Sequence, residues 1–218
     1  MGESRWERYA PLTGVVFVAI VIIVFAVGGE TPDEHDSAAT VQNFYIKHHD
    51  KHSALSFVII LGIPFLLFFA STLRRALRRA GGTGQLANAS LAAAAVAAAG
   101  FGLIGTIHLA LSNAGESIKT LATTQTLNVL DNNDFLPAAA GMAVFVFAAG
   151  LSAVRHGGLP SWLGWVGVVI GVATFTPAGF IAFLAAGVWV IIASLLLTFG
   201  PSASSGAAPE RPPTPAAA

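Results

Sequence analysis

The chain has 218 residues, of which 55% are hydrophobic and 10% charged, with 11 basic residues balancing 11 acidic ones and no cysteine. An ordinary soluble domain carries about 25% charged residues, so this chain cannot cover itself with polar surface and its solvent must be lipid. Zero formal charge excludes nucleic acid as a partner held by bulk electrostatics, and the missing cysteines exclude disulfides, thiolate metal sites and cysteine nucleophiles.

The head, residues 1–11, holds Arg5, Trp6 and Arg8 and precedes a first apolar span at 12–29. That run ends in Val27-Gly28-Gly29-Glu30 with no small-residue cleavage site, and further apolar runs follow, so it reads as an uncleaved anchor. Trp6 stands where myristoylation requires Ser or Thr. A second span at 54–73 contains Pro64, which removes one backbone hydrogen bond and predicts a kink packed against neighbouring helices. It stops at Arg74, Arg75, Arg78 and Arg79.

A third span at 86–112 is alanine-rich over 91–100 and strongly apolar after Phe101, and a fourth occupies 137–155. The run from Leu159 to Phe199 is too long for one crossing, and Thr176-Pro177-Ala178-Gly179 is turn punctuation that divides it into spans at 161–176 and 178–199, the first of them short. Pro, Ala and Ser dominate the tail, 200–218, which reads as disordered and cytoplasmic. The expected fold class is all-α: a polytopic membrane helix bundle of six transmembrane helices over 12–199, with short amphipathic helices on the outer face.

Orientation follows from the basic residues. With the N-terminus inside, the cytoplasmic side holds Arg5, Arg8, Arg74, Arg75, Arg78, Arg79, Arg155 and Arg211, against Lys47, Lys51 and Lys119 outside. That asymmetry obeys the positive-inside rule and puts both termini in the cytoplasm. Trp6, Trp162 and Trp165 then fall at the cytoplasmic interface. The outer segments Glu30–Ser53 and Asn113–Leu136 are each 24 residues long, a weak sign of tandem hairpins. In the first, Val41, Phe44, Tyr45 and His48 recur at i, i+3, i+4 and i+7, a stripe fit to lie on the bilayer surface or to cap the bundle.

Within the spans, Gly167-x-x-x-Gly171 with Gly164, and the row Ala94, Ala98, Gly102, are small-residue faces that let helix backbones approach; packing inside the bundle is the expected role. The quartet Arg74, Arg75, Arg78 and Arg79 has two readings: a topology determinant, which the positive-inside rule already demands, or contact with anionic lipid head groups. His48, His49 and His52 form the densest set of metal-ligand types, His48 and His52 sharing a helix face, yet no Glu stands between them in the zincin arrangement; a solvated loop is the plainer reading.

His108 is the ionisable residue set well inside a span, near the outer end of the third. Asn113, Asp131, Asn132 and Asp134 lie at a similar depth, so His108 with Asp131 or Asp134 has the chemistry to bind a cation, relay protons or activate water. The plainer alternative is that His108 reaches interfacial water and residues 131–134 cap the fourth helix.

Two stretches, Leu130-Asp131-Asn132-Asn133-Asp134-Phe135-Leu136-Pro137 and Gly158-Leu159-Pro160-Ser161-Trp162-Leu163-Gly164-Trp165 running on to Thr176-Pro177-Ala178-Gly179-Phe180, together with the opening Arg5-Trp6-Glu7-Arg8, resemble a group of small multi-pass bacterial membrane proteins from high-GC genomes. The resemblance implies a bacterial cell membrane location and transfers no catalytic residue, the group having no assigned activity. Polar groups concentrate in the outer segments while the spans are nearly free of charge, so function is read as that of a non-enzymatic accessory or sensory membrane component with extracytoplasmic segments, with no cofactor. A small-solute or ion transporter and a metal-dependent intramembrane hydrolase using His108, Asp131 and His48 or His52 are the alternatives. The bilayer, anionic lipid included, is the expected partner, and the sequence leaves a protein partner or a homo-oligomer open.

Overall fold

A computed structural model describes residues 5–81, 83–118 and 120–200, with side chains from residue 7 onward. Expectations placed on Lys119, Arg211, the tail from 201 and the side chains of Arg5 and Trp6 lie outside the described residues. Within them every regular element is helical: α1 Arg5–Tyr9, α2 Thr13–Gly28, α3 Ala38–Arg79, α4 Gln85–Asn113, α5 Leu121–Asp131, α6 Phe135–His156, α7 Ser161–Ala173 and α8 Gly179–Phe199. Five helical stretches are long and apolar enough to cross a bilayer: Glu7–Gly28, Ala38–Arg79, Gln85–Ile118, Leu121–His156 and Gly179–Phe199. The expected fifth span does not qualify by length. At 13 residues α7 rises about 20 Å, short of the roughly 30 Å hydrocarbon layer.

The expected outer helix over residues 41–48 lies at the start of α3, which bends at His48 before continuing as the second span. Ser37, in extended conformation, accepts a hydrogen bond from the Thr40 amide and starts α3 at Ala38. No Gly or Pro follows until Gly62, so beyond one bend the chain stays helical into the second span. The departure from helical dihedrals falls at His48 (φ −118°, ψ 18°), whose ring Nδ1 sits 3.0 Å from the Phe44 carbonyl it competes for; Pro64 lies within the continuing helix. The Val41/Tyr45 stripe turns inward, both residues fully buried against Leu111 with Phe44 and Leu127 alongside, so it caps the bundle.

The core is built on close backbone approach. The pairing of α4 with α6 is the most extensive, and it depends on two glycines. A Cβ on Gly100 would overlap the backbone of Ala138, and one on Gly141 the backbone of Ala97. Of the small row expected on this helix, Ala94 and Ala98 are buried and Gly102 is half-buried beside Ile63 of α3. Gly164, Gly167 and Gly171 seat α7 on α6, where added Cβ atoms would meet the carbonyl oxygens of Gly150, Val146 and Ala143 at 2.9, 2.9 and 2.7 Å. Edge-to-face ring pairs Phe17–Phe101, Phe69–Phe145 and Phe145–Trp189 fill the remaining volume. The Trp189 indole donates to the Leu163 carbonyl at 2.9 Å, tying α8 to α7. Trp162 and Trp165 are exposed.

The chain direction through α7 is fixed at both ends. Gly158 lies against Leu77 at the arginine end of α3, while Phe180, just past the Thr176-Pro177 turn, lines a cavity with His108 at the opposite end. The segment between them therefore runs the depth of the bundle. Thr176 closes the turn through Gly179 N→Thr176 O at 2.8 Å and Ala178 N→Thr176 Oγ1 at 3.2 Å.

Candidate functional site

The two ends of the bundle carry different chemistry. At one end Arg74 donates to Asn88 Oδ1 at 2.8 Å and Arg75 pairs with Glu7 at 3.5 Å. Arg78 lies against Gly84, while Arg75 and Arg79 join Arg8 and Thr72 in lining a groove of about 850 Å³ floored by Leu159, Leu196 and Leu197. At the other end a cap of polar side chains closes over the helices.

That cap is held by amides. Along α5, Gln125, Asn128 and Asn132 fall at i, i+3 and i+7, one face of a helix. Their side-chain NH₂ groups donate to the carbonyls of the first connecting loop: Gln125 to Glu34 and Asp36 at 3.2 Å each, Asn128 to Asp33 at 2.9 Å, Asn132 to Pro32 at 3.3 Å. Loop carbonyls left dry would be costly, and the amides satisfy them. Asn128 is fully buried. Its replacement by alanine is expected to cost about 1 kcal/mol, the lost donor being partly offset by removal of its own unpaired Oδ1. Hydrogen exchange should show the amides of residues 33–36 opening faster than in wild type. An unchanged exchange rate there would show that the loop is held by something else.

Under this cap lies a cavity of about 280 Å³. His52, Leu55, Ser56 and Ile59 present one face of α3 to it, and Ile104, Gly105 and His108 one face of α4. A Cβ on Gly105 would meet Ser56 O at 2.9 Å and Ile60 at 2.7 Å, so this glycine lets α4 lie against α3 one turn below the histidines. The result is a hydrogen-bonded chain: His52 Nδ1 to His108 Nε2 at 2.8 Å, and His108 Nδ1 to the Asp131 carboxylate at 2.9 and 3.0 Å. Asp134 and Asn132 complete the polar end, and apolar walls come from Val24 and Phe25 of α2, Phe135 of α6, and Phe180 and Phe183 of α8.

Protons in this chain follow from valence. A carboxylate only accepts, so His108 Nδ1–H donates to Asp131; a neutral His108 then accepts at Nε2, and His52 must donate from Nδ1. With both rings neutral, His52 Nε2 is left as a bare acceptor. His52 is fully buried and Nε2 has no protein partner. The same holds for Asp134 Oδ2, on a residue 8% exposed. Asp134 occupies the N-cap position of α6 but makes no side-chain cap hydrogen bond, so the capping role expected of residues 131–134 does not describe it. Tyr45, fully buried, packs edge-on against both rings, centroids 5.6 Å from His52 and 5.7 Å from His108, with its hydroxyl directed to the Asp131 side chain.

Comparisons with protein-family models, curated proteins and solved structures find no match to this chain. The site therefore rests on its own geometry. Of the expected polar cluster, His108, Asp131, Asn132 and Asp134 share the cavity, whereas Asn113 turns away and accepts from His49 Nε2 at 3.2 Å beside Glu116. The three neighbouring histidines diverge: His48 to the Phe44 carbonyl, His49 to Asn113 and Asp50, His52 to His108. Among the described residues no group of three or more His, Asp or Glu side chains is arranged to hold a metal ion.

Sequence reasoning paired His108 with Asp131 but did not single out the His52–His108 contact, which spans 56 positions. It also missed the phenylalanine walls and the amide face of α5; only the latter carried a local signal, its 3–4 spacing. Chemically the arrangement offers a largely apolar, phenylalanine-walled chamber with an acceptor-rich end and a chain able to pass a proton from His52 to Asp131.

Proposed function

We propose that this protein is a non-enzymatic accessory or sensory component of a bacterial cell membrane, and that it binds a small molecule in the cavity beneath its polar cap. The reading rests on one observation: His52 and Asp134, each with a buried, unpartnered polar atom, line a chamber whose walls are mostly apolar. Ligand sites combine a mostly apolar surface with a few convergent polar groups, and unsatisfied buried atoms are costly unless something completes them. At about 280 Å³ the chamber suits a ligand at the small end of the usual range.

In this proposal the chain crosses the bilayer six times, α7 with its turn serving as the short fifth crossing, and both termini are cytoplasmic. The segment linking the arginine end to the cavity end supports the even number, and the arginines at one end support the orientation. The cavity then opens towards the outer leaflet, where the cap helices stand as the extracytoplasmic segments. The groove of Arg8, Arg75 and Arg79 over leucines suits an anionic lipid head group on the inner leaflet.

Thr31, an exposed loop residue on the cavity wall, offers a gentle way to close it. Nanodiscs carrying wild-type protein, incubated with a cell metabolite extract and analysed by mass spectrometry, should retain a small molecule that Thr31→Trp nanodiscs do not. Identical retention by the two proteins would overturn the reading. The His52–His108–Asp131 chain supports a second reading, a proton-coupled transporter; solute uptake by proteoliposomes that disappears in Pro64→Ala or His108→Ala would favour it.

A further inference from the structure

The polar end of the cavity also carries information about the charge of what it holds, and this inference rests on the ligand-binding reading above. Most of the polar lining groups are already engaged. Ser56 donates to the His52 carbonyl at 2.9 Å, and the Asn132 NH₂ is spent on Pro32 and Asn128. The His108 Nδ1 proton is committed to Asp131. Among the buried side-chain atoms of the lining residues, what remains unpartnered is His52 Nε2, an acceptor when both rings are neutral, and Asp134 Oδ2, an acceptor whenever that acid is ionised.

The charge balance points the same way. Two carboxylates, Asp131 and Asp134, line the chamber, and no Lys or Arg does among the described residues. The nearest lysine on α3, Lys51, is occupied capping α2 through the Gly28 carbonyl at 3.0 Å. The opposing walls hold four phenylalanines, Phe25, Phe135, Phe180 and Phe183. Their ring faces are negative and attract a desolvated cation.

We propose that the cavity takes a small organic ammonium with an apolar body, its N–H groups donating to the orphaned acceptors of His52 and Asp134 while the phenylalanine rings cover the rest. A carboxylate ligand would meet two buried acids, with only the exposed Thr31 hydroxyl at the rim to donate to it. A neutral alcohol would satisfy one acceptor and leave the carboxylates without a counter-charge.

The test uses three probes that share a phenylethyl body on the full chain in nanodiscs, read by isothermal titration calorimetry: 2-phenylethylammonium, 2-phenylethanol and 3-phenylpropanoate. The ammonium is expected to bind about tenfold or more tighter than the alcohol, with no measurable binding of the carboxylate. Asp134→Asn, nearly isosteric, should weaken the ammonium about tenfold and leave the alcohol within about twofold. Phe180→Ala, at a residue 66% exposed and so little needed for folding, should weaken the ammonium about threefold and guards against loss of the first variant to misfolding.

Alcohol or carboxylate binding as tight as the ammonium, or ammonium binding indifferent to both substitutions, overturns the proposal. If the alcohol binds equally well and Thr31→Trp abolishes it, the cavity remains a ligand site and only the ammonium assignment falls. If none of the probes binds and no metabolite is retained, both readings fall together.

Discussion

Gly141→Ala should leave the protein close to unfolded in mild detergent, with a loss of about 3 kcal/mol against wild type in a denaturation titration. In most positions Gly→Ala inside a helix is neutral or stabilising. Here the new methyl would fall on the backbone of Ala97, 2.6 Å from its Cα and 2.9 Å from its Cβ. No rotamer change relieves a clash with main chain, so α4 and α6 must separate along their whole contact, and in lipid that contact supplies much of the association energy. Gly187→Ala is the matched control. Its added carbon would lie 3.6 Å from a Val18 methyl, an ordinary contact, and stability should stay within about 0.5 kcal/mol of wild type. Equal behaviour of the two variants would show that the α4–α6 approach is looser than described.

His108→Ala should be the most damaging single change at the polar end, costing about 3 kcal/mol in the same titration. The substitution strips Asp131, whose side chain is 10% exposed, of its imidazole donor and removes the acceptor that fixes His52. Asp131→Asn keeps an acceptor for His108 Nδ1–H and should cost about 1 kcal/mol. The double variant His108→Ala with Asp131→Ala should be less destabilised than the two single alanine changes added together, because removing both partners leaves no stranded acid. Strict additivity would show that the two side chains do not depend on each other.

Much of the helical framework was legible because lipid imposes a simple rule: backbone polar groups must be satisfied within the segment, so long apolar runs become helices. The turn at Thr176-Pro177 and the small-residue faces around Gly164, Gly167 and Gly171 were readable for a similar local reason. The outer segments were legible only in part. The stripe Val41, Phe44, Tyr45 and His48 predicted a short helix within Glu30–Ser53, and Ser37 does start one, but past a bend at His48 it runs on into the second span, which polarity alone does not encode. His48 and His52 share a helical face and suggested a metal pair; the Phe44 carbonyl claims one ring and His108 the other.

Composition and order of residues alone determined that this chain lives in lipid as a helix bundle with its arginines gathered at one end, since hydropathy and charge count act through the solvent and need no partner. Tertiary structure alone decided that His52, His108, Asp131 and Asp134 meet around one chamber. They are drawn from α3, α4 and the α5–α6 junction, and their meeting depends on Gly105 letting two helices close to contact distance. Such proximity is a property of packing, and no periodicity within a single helix encodes it.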